Sequence, residues 1–166
     1  MTEDEFREQV MPLRHLMYGL ALRMGMPPDD AADAVQETQI RLWRSRDRIP
    51  IAETERRLYC MASMRNECLT WMRLKRDTEP IDRVNHPCSD VSEQVETQDM
   101  RTHIDGMIAR LPHAQRDAIR LSAFGQLDNS EIADALGQTE TNVRQLLSRG
   151  RKRLRDMMDK LGISSC

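Results

Sequence analysis

An all-α fold, with two small helical domains joined by a flexible linker and a helix-turn-helix in the second, is what this sequence predicts. Three observations carry the prediction. Apolar residues recur at three- and four-residue spacing with no strongly alternating runs; the 166 residues hold only 7 Gly and 4% aromatics; and the apolar pattern fails once, across 77–94, before it resumes. That interruption divides the chain into 1–76, the linker 77–94, and 95–166.

The first half opens with a capping signal, Thr2 followed three residues later by Glu5. Phe6, Val10, Leu13, Leu16, Met17, Leu20, Ala21 and Met24 then mark a helical face that Pro12 should break into two segments. Gly25 and the pair Pro27 and Pro28 end this element, and Asp29 is expected to cap the next, "DDAADAVQETQIRLWR". Val35, Thr38, Leu42 and Trp43 lie on its inner face, so Asp33, Gln36, Glu37, Arg41 and Arg44 point outward. A polar loop, "SRDRIPIAE", leads into a long helix whose inner stripe is expected to be Leu58, Met61, Ala62, Arg65, Cys68, Leu69 and Met72. That helix ends in Arg73, Lys75 and Arg76, and both Trp43 and Trp71 are expected in the core.

From Asp77 to Asp99 seven acids face one cation, Arg83, with two prolines and little apolar content. Such a composition cannot build a core and reads as exposed linker running into the next helix.

The second half resumes with Val95, Ile104, Met107, Ile108 and Leu111 on one helix face, and Pro112 suits the first turn of a following helix that Gly125 would close. Asp128 and Glu131 form a capping pair, Ile132, Ala135 and Leu136 face inward, and Gly137 suits the C-terminal cap. Thr139 then caps a last helix with inner positions Val143, Leu146, Leu147, Gly150 and Leu154; helix, three-residue turn, helix is the helix-turn-helix pattern.

The net charge of -2 hides a local excess: from Thr141 to Arg155 the chain holds Arg144, Arg149, Arg151, Lys152, Arg153 and Arg155 and no acid. A single-sign stretch on an otherwise acidic chain is the footprint of a nucleic-acid surface. With the inner face as above, Asn142, Arg144, Gln145, Ser148, Arg149 and Lys152 point out where a recognition helix meets the major groove, arginine suited to guanine and the amides to adenine.

Other function classes fall away. No apolar run could span a bilayer, and the acidic start "MTEDEF" is the reverse of a signal peptide, so no membrane insertion and a cytoplasmic location are expected. Cys60, Cys68, Cys88 and Cys166 form no C-x-x-C pair, and His86 with Cys88 supplies too few ligands for zinc; neither metal nor cofactor is expected. His15, His86, His103 and His113 are scattered, without nucleophile-base spacing or a phosphate loop, which argues against an enzyme.

"DDAADAVQETQIRLWR" followed by "LYCMASMRNECLTWMRLKR" resembles domain 2 of bacterial RNA polymerase sigma factors, and "LPHAQRDAIRLSAFGQLDNSEIADALGQTETNVRQLLSRGRKRLR" resembles domain 4. Two such domains and nothing else match the extracytoplasmic-function (ECF) class of the sigma-70 family. The resemblance implies a promoter-specificity subunit without catalysis of its own, whose partners are core polymerase, through the beta-prime clamp helices and the beta flap, and promoter DNA. An anti-sigma factor is a further partner that such factors commonly have. It carries core docking onto Asp33, Gln36 and Glu37. It carries single-strand reading of the minus-ten element onto the loop Ser45 to Glu53, with Arg48, and onto Tyr59, Arg65 and Asn66, with Arg73, Lys75 and Arg76 on phosphates. It carries duplex reading of the minus-thirty-five element onto Arg144, Gln145, Ser148 and Arg149, with Arg116 and Arg151 on the backbone. The competing reading is a stand-alone helix-turn-helix regulator that binds palindromic duplex without polymerase.

Overall fold

A computed structural model describes residues 1–78 and 98–162, and the side chains there except those of 98–101. Every regular element among the described residues is helical, and the chain divides into two compact units, Met1–Glu79 and Pro80–Cys166. Most of the expected linker, together with Val95, His86 and Cys88, lies outside the described residues.

The first unit holds α1 (Glu3–Gln9), α2 (Arg14–Arg23), α3 (Pro28–Arg44) and α4 (Glu53–Thr78). Thr2 caps α1 in the reciprocal box, its hydroxyl accepting from the Glu5 N–H while the Glu5 carboxylate accepts from the Thr2 N–H. Pro12 does break the pattern, in a 3-10 turn over Met11–Leu13. Gly25 adopts φ 103 after α2, a backbone that a β-carbon would strain. The cap of α3 differs from expectation: Pro27 occupies the N-cap and Pro28 the first helical position, so Asp29 sits in the first turn. Two rigid prolines preset the entry there, and Asp29 with Asp30 complements the helix dipole.

Helices α2, α3 and α4 pack on one another around Val10, Met17, Ala21, Met24, Leu42, Cys60, Met64 and Cys68, all buried. Thr38 is buried with them, its hydroxyl donating to Met64 Sδ at 3.4 Å. Arg41 Nη2 and Glu67 Oε2 form an ion pair at 2.7 Å that ties α3 to α4, outside hydrogen-bond geometry.

The inner stripe of α4 is rotated from the expected one. Arg56, Cys60, Met64, Cys68, Leu69 and Met72 are buried, whereas Leu58 is 66% exposed and Met61, Ala62 and Arg65 are half-buried. The apolarity of Leu58 points to one face, but the ladder at 56, 60, 64, 68 and 72 follows the packing, and a charged residue at its head conceals it. Neither tryptophan is a core residue either. Trp43 is half-buried, edge-on to Phe6 with ring centroids 5.1 Å apart, and Trp71 is half-buried with Lys75 Nζ 5.6 Å from its ring centre.

The second unit holds α5 (Gln98–Ala109), α6 (His113–Ala123), α7 (Asn129–Leu136) and α8 (Glu140–Lys160) around Met107, Ile108, Leu111, Ala118, Ile119, Leu121, Ile132, Ala135, Val143 and Leu147. Pro112 is the N-cap of α6 and not part of its first turn. Gly125 follows α6 because a β-carbon there would stand 2.7 Å from the Leu121 carbonyl oxygen, and Gln126 then takes the left-handed φ of 54. Within α8, Gly150 permits close packing on α6: a β-carbon would meet Ile119 Cγ1 at 3.0 Å.

Candidate nucleic-acid interface and acidic docking face

In the second unit the turn between α7 and α8 is set by three local devices. Asp128 caps α7 reciprocally with Glu131, at 2.8 and 2.9 Å. Gly137 ends α7 at φ 64, a left-handed residue that lets Gln138 N–H donate to the Ala133 carbonyl. Thr139 opens α8 by accepting from Asn142 N–H at 3.1 Å. With Val143, Leu147 and Gly150 buried against α6 and α7, the opposite face of α8 presents Arg144, Gln145, Ser148, Arg149, Arg151, Lys152, Arg153 and Arg155, all exposed.

Little inside the protein commits these cations. Arg144 reaches Glu140 at 3.5 Å, both exposed, a pair of little energetic weight, and Arg151 donates to the Ser122 hydroxyl at 3.5 Å. Arg149, Lys152, Arg153 and Arg155 have no ion-pair partner among the described residues. A polar cleft of about 350 Å³ opens on this face, lined by Asn129, Arg144, Leu147, Ser148, Arg151 and Arg155. Arg155 belongs to the cationic run noted in the sequence but, like Asn129, was not among the expected DNA-contacting residues; the spacing of Arg144, Arg151 and Arg155 at seven and four residues along one helix face is the signal that places it with them. Asn142 differs from its expected outward position: it is half-buried and its amide donates to Gln138 Oε1 at 2.5 Å. Arg116 is half-buried on α6, and its Nη1 donates to the Ala109 carbonyl at 3.4 Å.

In the first unit α3 buries Ala31, Ala34, Val35, Thr38 and Leu42, so Asp33, Gln36 and Glu37 are exposed together on the opposite face. Neither carboxylate has an ion-pair partner among the described residues. Beside them runs an apolar groove of about 520 Å³ between α1 and α3, lined by Phe6, Met11, Gln36, Gln39, Ile40 and Trp43 among others.

Between α3 and α4 the chain makes a 3-10 turn over Arg46–Arg48, with Arg46 stacked 4.4 Å from the Trp43 ring centre and Arg48 exposed. Ile49 is buried, Ile51 is 92% exposed, and the buried Arg56 donates from Nη1 to the Ile51 carbonyl at 2.5 Å. Along α4, Asn66 is exposed, Tyr59 and Arg65 are half-buried, and Arg73 and Arg76 are exposed with Lys75 half-buried between them. Arg76 pairs with Asp77 at 3.6 Å. Among the described residues no group of three or more His, Cys, Asp or Glu is placed to hold a metal ion. No described helix is long and apolar enough to cross a membrane.

Two family models match the chain, Sigma-70 region 2 over residues 10–78 and Sigma-70, region 4 over residues 102–154. The ECF RNA polymerase sigma factor RpoE of Cereibacter sphaeroides is 25% identical over 158 residues, covering 92% of this chain and 87% of its own length. The RNA polymerase sigma-E factor of Streptomyces avermitilis is 27% identical over 158 residues, covering 93% and 86%. A solved structure of the sigma factor RpoE in complex with the anti-sigma factor NepR, from Bartonella quintana, aligns at 22% identity and a TM-score of 0.49 over 93% of this chain and 97% of that one. With regions 2 and 4 matched in order, one to each compact unit, and with sigma-factor relatives matched over most of their length, one of them named an ECF sigma factor, the chain belongs to the sigma-70 family of RNA polymerase sigma factors, in its extracytoplasmic-function class.

Proposed function

We propose that this promoter-specificity subunit divides its work between the two units. Residues 1–76 dock on core polymerase and handle the minus-ten element, 77–94 link, and 95–166 read the minus-thirty-five element. Sigma factors are non-enzymatic polymerase subunits that bring it to promoter DNA, and this chain has no catalysis of its own and acts in the cytoplasm beside its polymerase.

The observation that carries the duplex-reading assignment is the outward face of α8, where Arg144, Gln145, Ser148 and Arg149 stand exposed after a capped three-residue turn. Arg151, Lys152 and Arg116 take phosphates, and Asn142 holds the turn through Gln138. In the first unit the unpaired Asp33 and Glu37, with Gln36, fit a basic surface such as the beta-prime clamp helices, while the beta flap would take the second unit. Asn66 reads an extruded base edge, Tyr59 and Arg65 flank it, and Arg48, Arg73, Lys75 and Arg76 hold the strand. An anti-sigma factor that covers one of these faces is a further partner.

In vitro transcription of a genomic promoter library with core polymerase, with and without the protein, tests this reading. Transcript starts that share two upstream motifs only when the protein is present are expected. Duplex binding without any initiation would favour the stand-alone regulator.

A further inference from the structure

On α3 the acids Asp33 and Glu37 stand four residues apart, and Arg41 follows four further on. Side chains at that spacing are neighbours on one helix face, about 6 Å apart, where like charges repel and a glutamate followed by an arginine attracts. Arg41 is therefore the local cation that would neutralise Glu37. The same spacing closes elsewhere in this chain, Arg7 on Glu3 at 2.9 Å in α1 and Arg144 on Glu140 at 3.5 Å in α8. In α3 it does not. Arg41 Nη2 stands 2.7 Å from Glu67 Oε2 of α4, and Glu37 has no ion-pair partner among the described residues.

Glu67 prevails because water screens it less. Its side chain is 16% exposed against 54% for that of Arg41, and attraction between charges strengthens where water is excluded. A half-buried carboxylate left alone is destabilising, whereas the exposed Glu37 stays solvated without a partner. Helix α3 thus keeps two neighbouring carboxylates uncompensated, although a cation at the right spacing grows from the same helix.

We propose that Glu67, on a different helix from the acidic docking face, is the positioning residue that keeps this face acidic. It holds Arg41 and neutralises it, so Asp33 and Glu37 present their charge undiminished to a basic surface on core polymerase. Without the Glu67 carboxylate Arg41 turns to Glu37, and the partner's cations meet a guanidinium beside the acids they should pair with. This inference rests on the proposed docking role of Asp33, Gln36 and Glu37.

The test is binding of the fluorescently labelled full-length chain to core polymerase, read as anisotropy over a salt series at a temperature where every variant is folded. Glu67→Gln should lower affinity by about threefold to tenfold at low salt, with the deficit shrinking as salt rises. Glu67→Asp, which retains the charge, should restore most of it. In an Arg41→Met chain the same Glu67→Gln substitution should change affinity by less than about twofold, because the cation it releases is gone. A carboxylate that only stabilised the unit, or that touched polymerase itself, would give the same loss in both backgrounds. Should Glu67→Gln fail to fold, Arg41→Met alone decides: core affinity at or above that of the unaltered chain is expected, and a loss would make Arg41 itself a polymerase contact and overturn the proposal. Normal core binding by Glu67→Gln, or an equal loss with and without Arg41, also overturns it. Glu37→Gln separates the two readings: if it weakens core binding while Glu67→Gln does not, only the role of Glu67 falls, and if both bind core normally the docking assignment falls with it.

Discussion

Arg149 projects from α8 with no ion-pair partner among the described residues, so in its proposed role the guanidinium would meet DNA without first breaking an internal ion pair. Arg149→Ala is expected to weaken binding to the cognate minus-thirty-five duplex by about 1–3 kcal/mol and to relax preference at one base pair. Lys152→Ala should instead weaken all duplexes alike and lower the salt slope by about one. Fluorescence anisotropy over a salt series distinguishes the two. The buried thiols give a prediction of another kind. Burial pushes Cys60 up to about 11 and Cys68 up to about 12, the second also raised by the nearby Glu67 carboxylate. The folded state therefore keeps these protons where the unfolded chain, near the ordinary value of 9.0, has begun to lose them. Their contribution to stability is fully present below that value and is lost as pH rises through 11 and 12. Urea midpoints should fall from pH 8 upward, and the fall should be smaller in a Cys60→Ala, Cys68→Ala chain.

At the scale of elements, the fold depends on caps and close approaches more than on propensity. Asp128→Ala removes the acceptor of the Glu131 N–H at the start of α7, and a loss of about 1 kcal/mol is expected, read as a lower melting temperature. Gly125→Ala would force the new methyl onto the Leu121 carbonyl, a backbone atom that cannot swing away; a loss of about 1–3 kcal/mol is expected from the same scan. These elements were legible because their signals are local. A cap needs two residues three apart, and Thr2 with Glu5, Asp128 with Glu131, and Thr139 all formed as the sequence implies. The rotation of α4 was not legible, because helical periodicity cannot tell a small buried thiol from a small surface residue, and Leu58 outweighs Cys60 on any apolarity count. For the same reason Arg56 escaped notice: nothing local marks an arginine as buried when its acceptor is a loop carbonyl five residues back. The outward face of α8 was readable because its cations share one sign and one side, apart from Asn142, which its own neighbour Gln138 captures.

For the whole molecule, a net charge of -2 conceals an acidic face on α3 in one unit and a basic face on α8 in the other. The two proposed contacts should then be separable by substitution. Glu37→Lys is expected to lower affinity for core polymerase by about tenfold or more, with duplex binding by the free chain unchanged. Arg149→Ala should do the reverse, and pull-down with core polymerase beside anisotropy on duplex reads both. The proposed recognition surface also has a consequence for descent. Because the side chains at 144, 145, 148 and 149 contribute only one weak surface ion pair to folding, most replacements there should leave stability within about 0.5 kcal/mol. Promoter choice on such a scaffold can drift from gene set to gene set while Val143, Leu147 and Gly150 keep the helix seated. A library randomised at those four positions should be largely folded and rich in altered promoter preferences, a regulatory alphabet written on a frame that does not need to change.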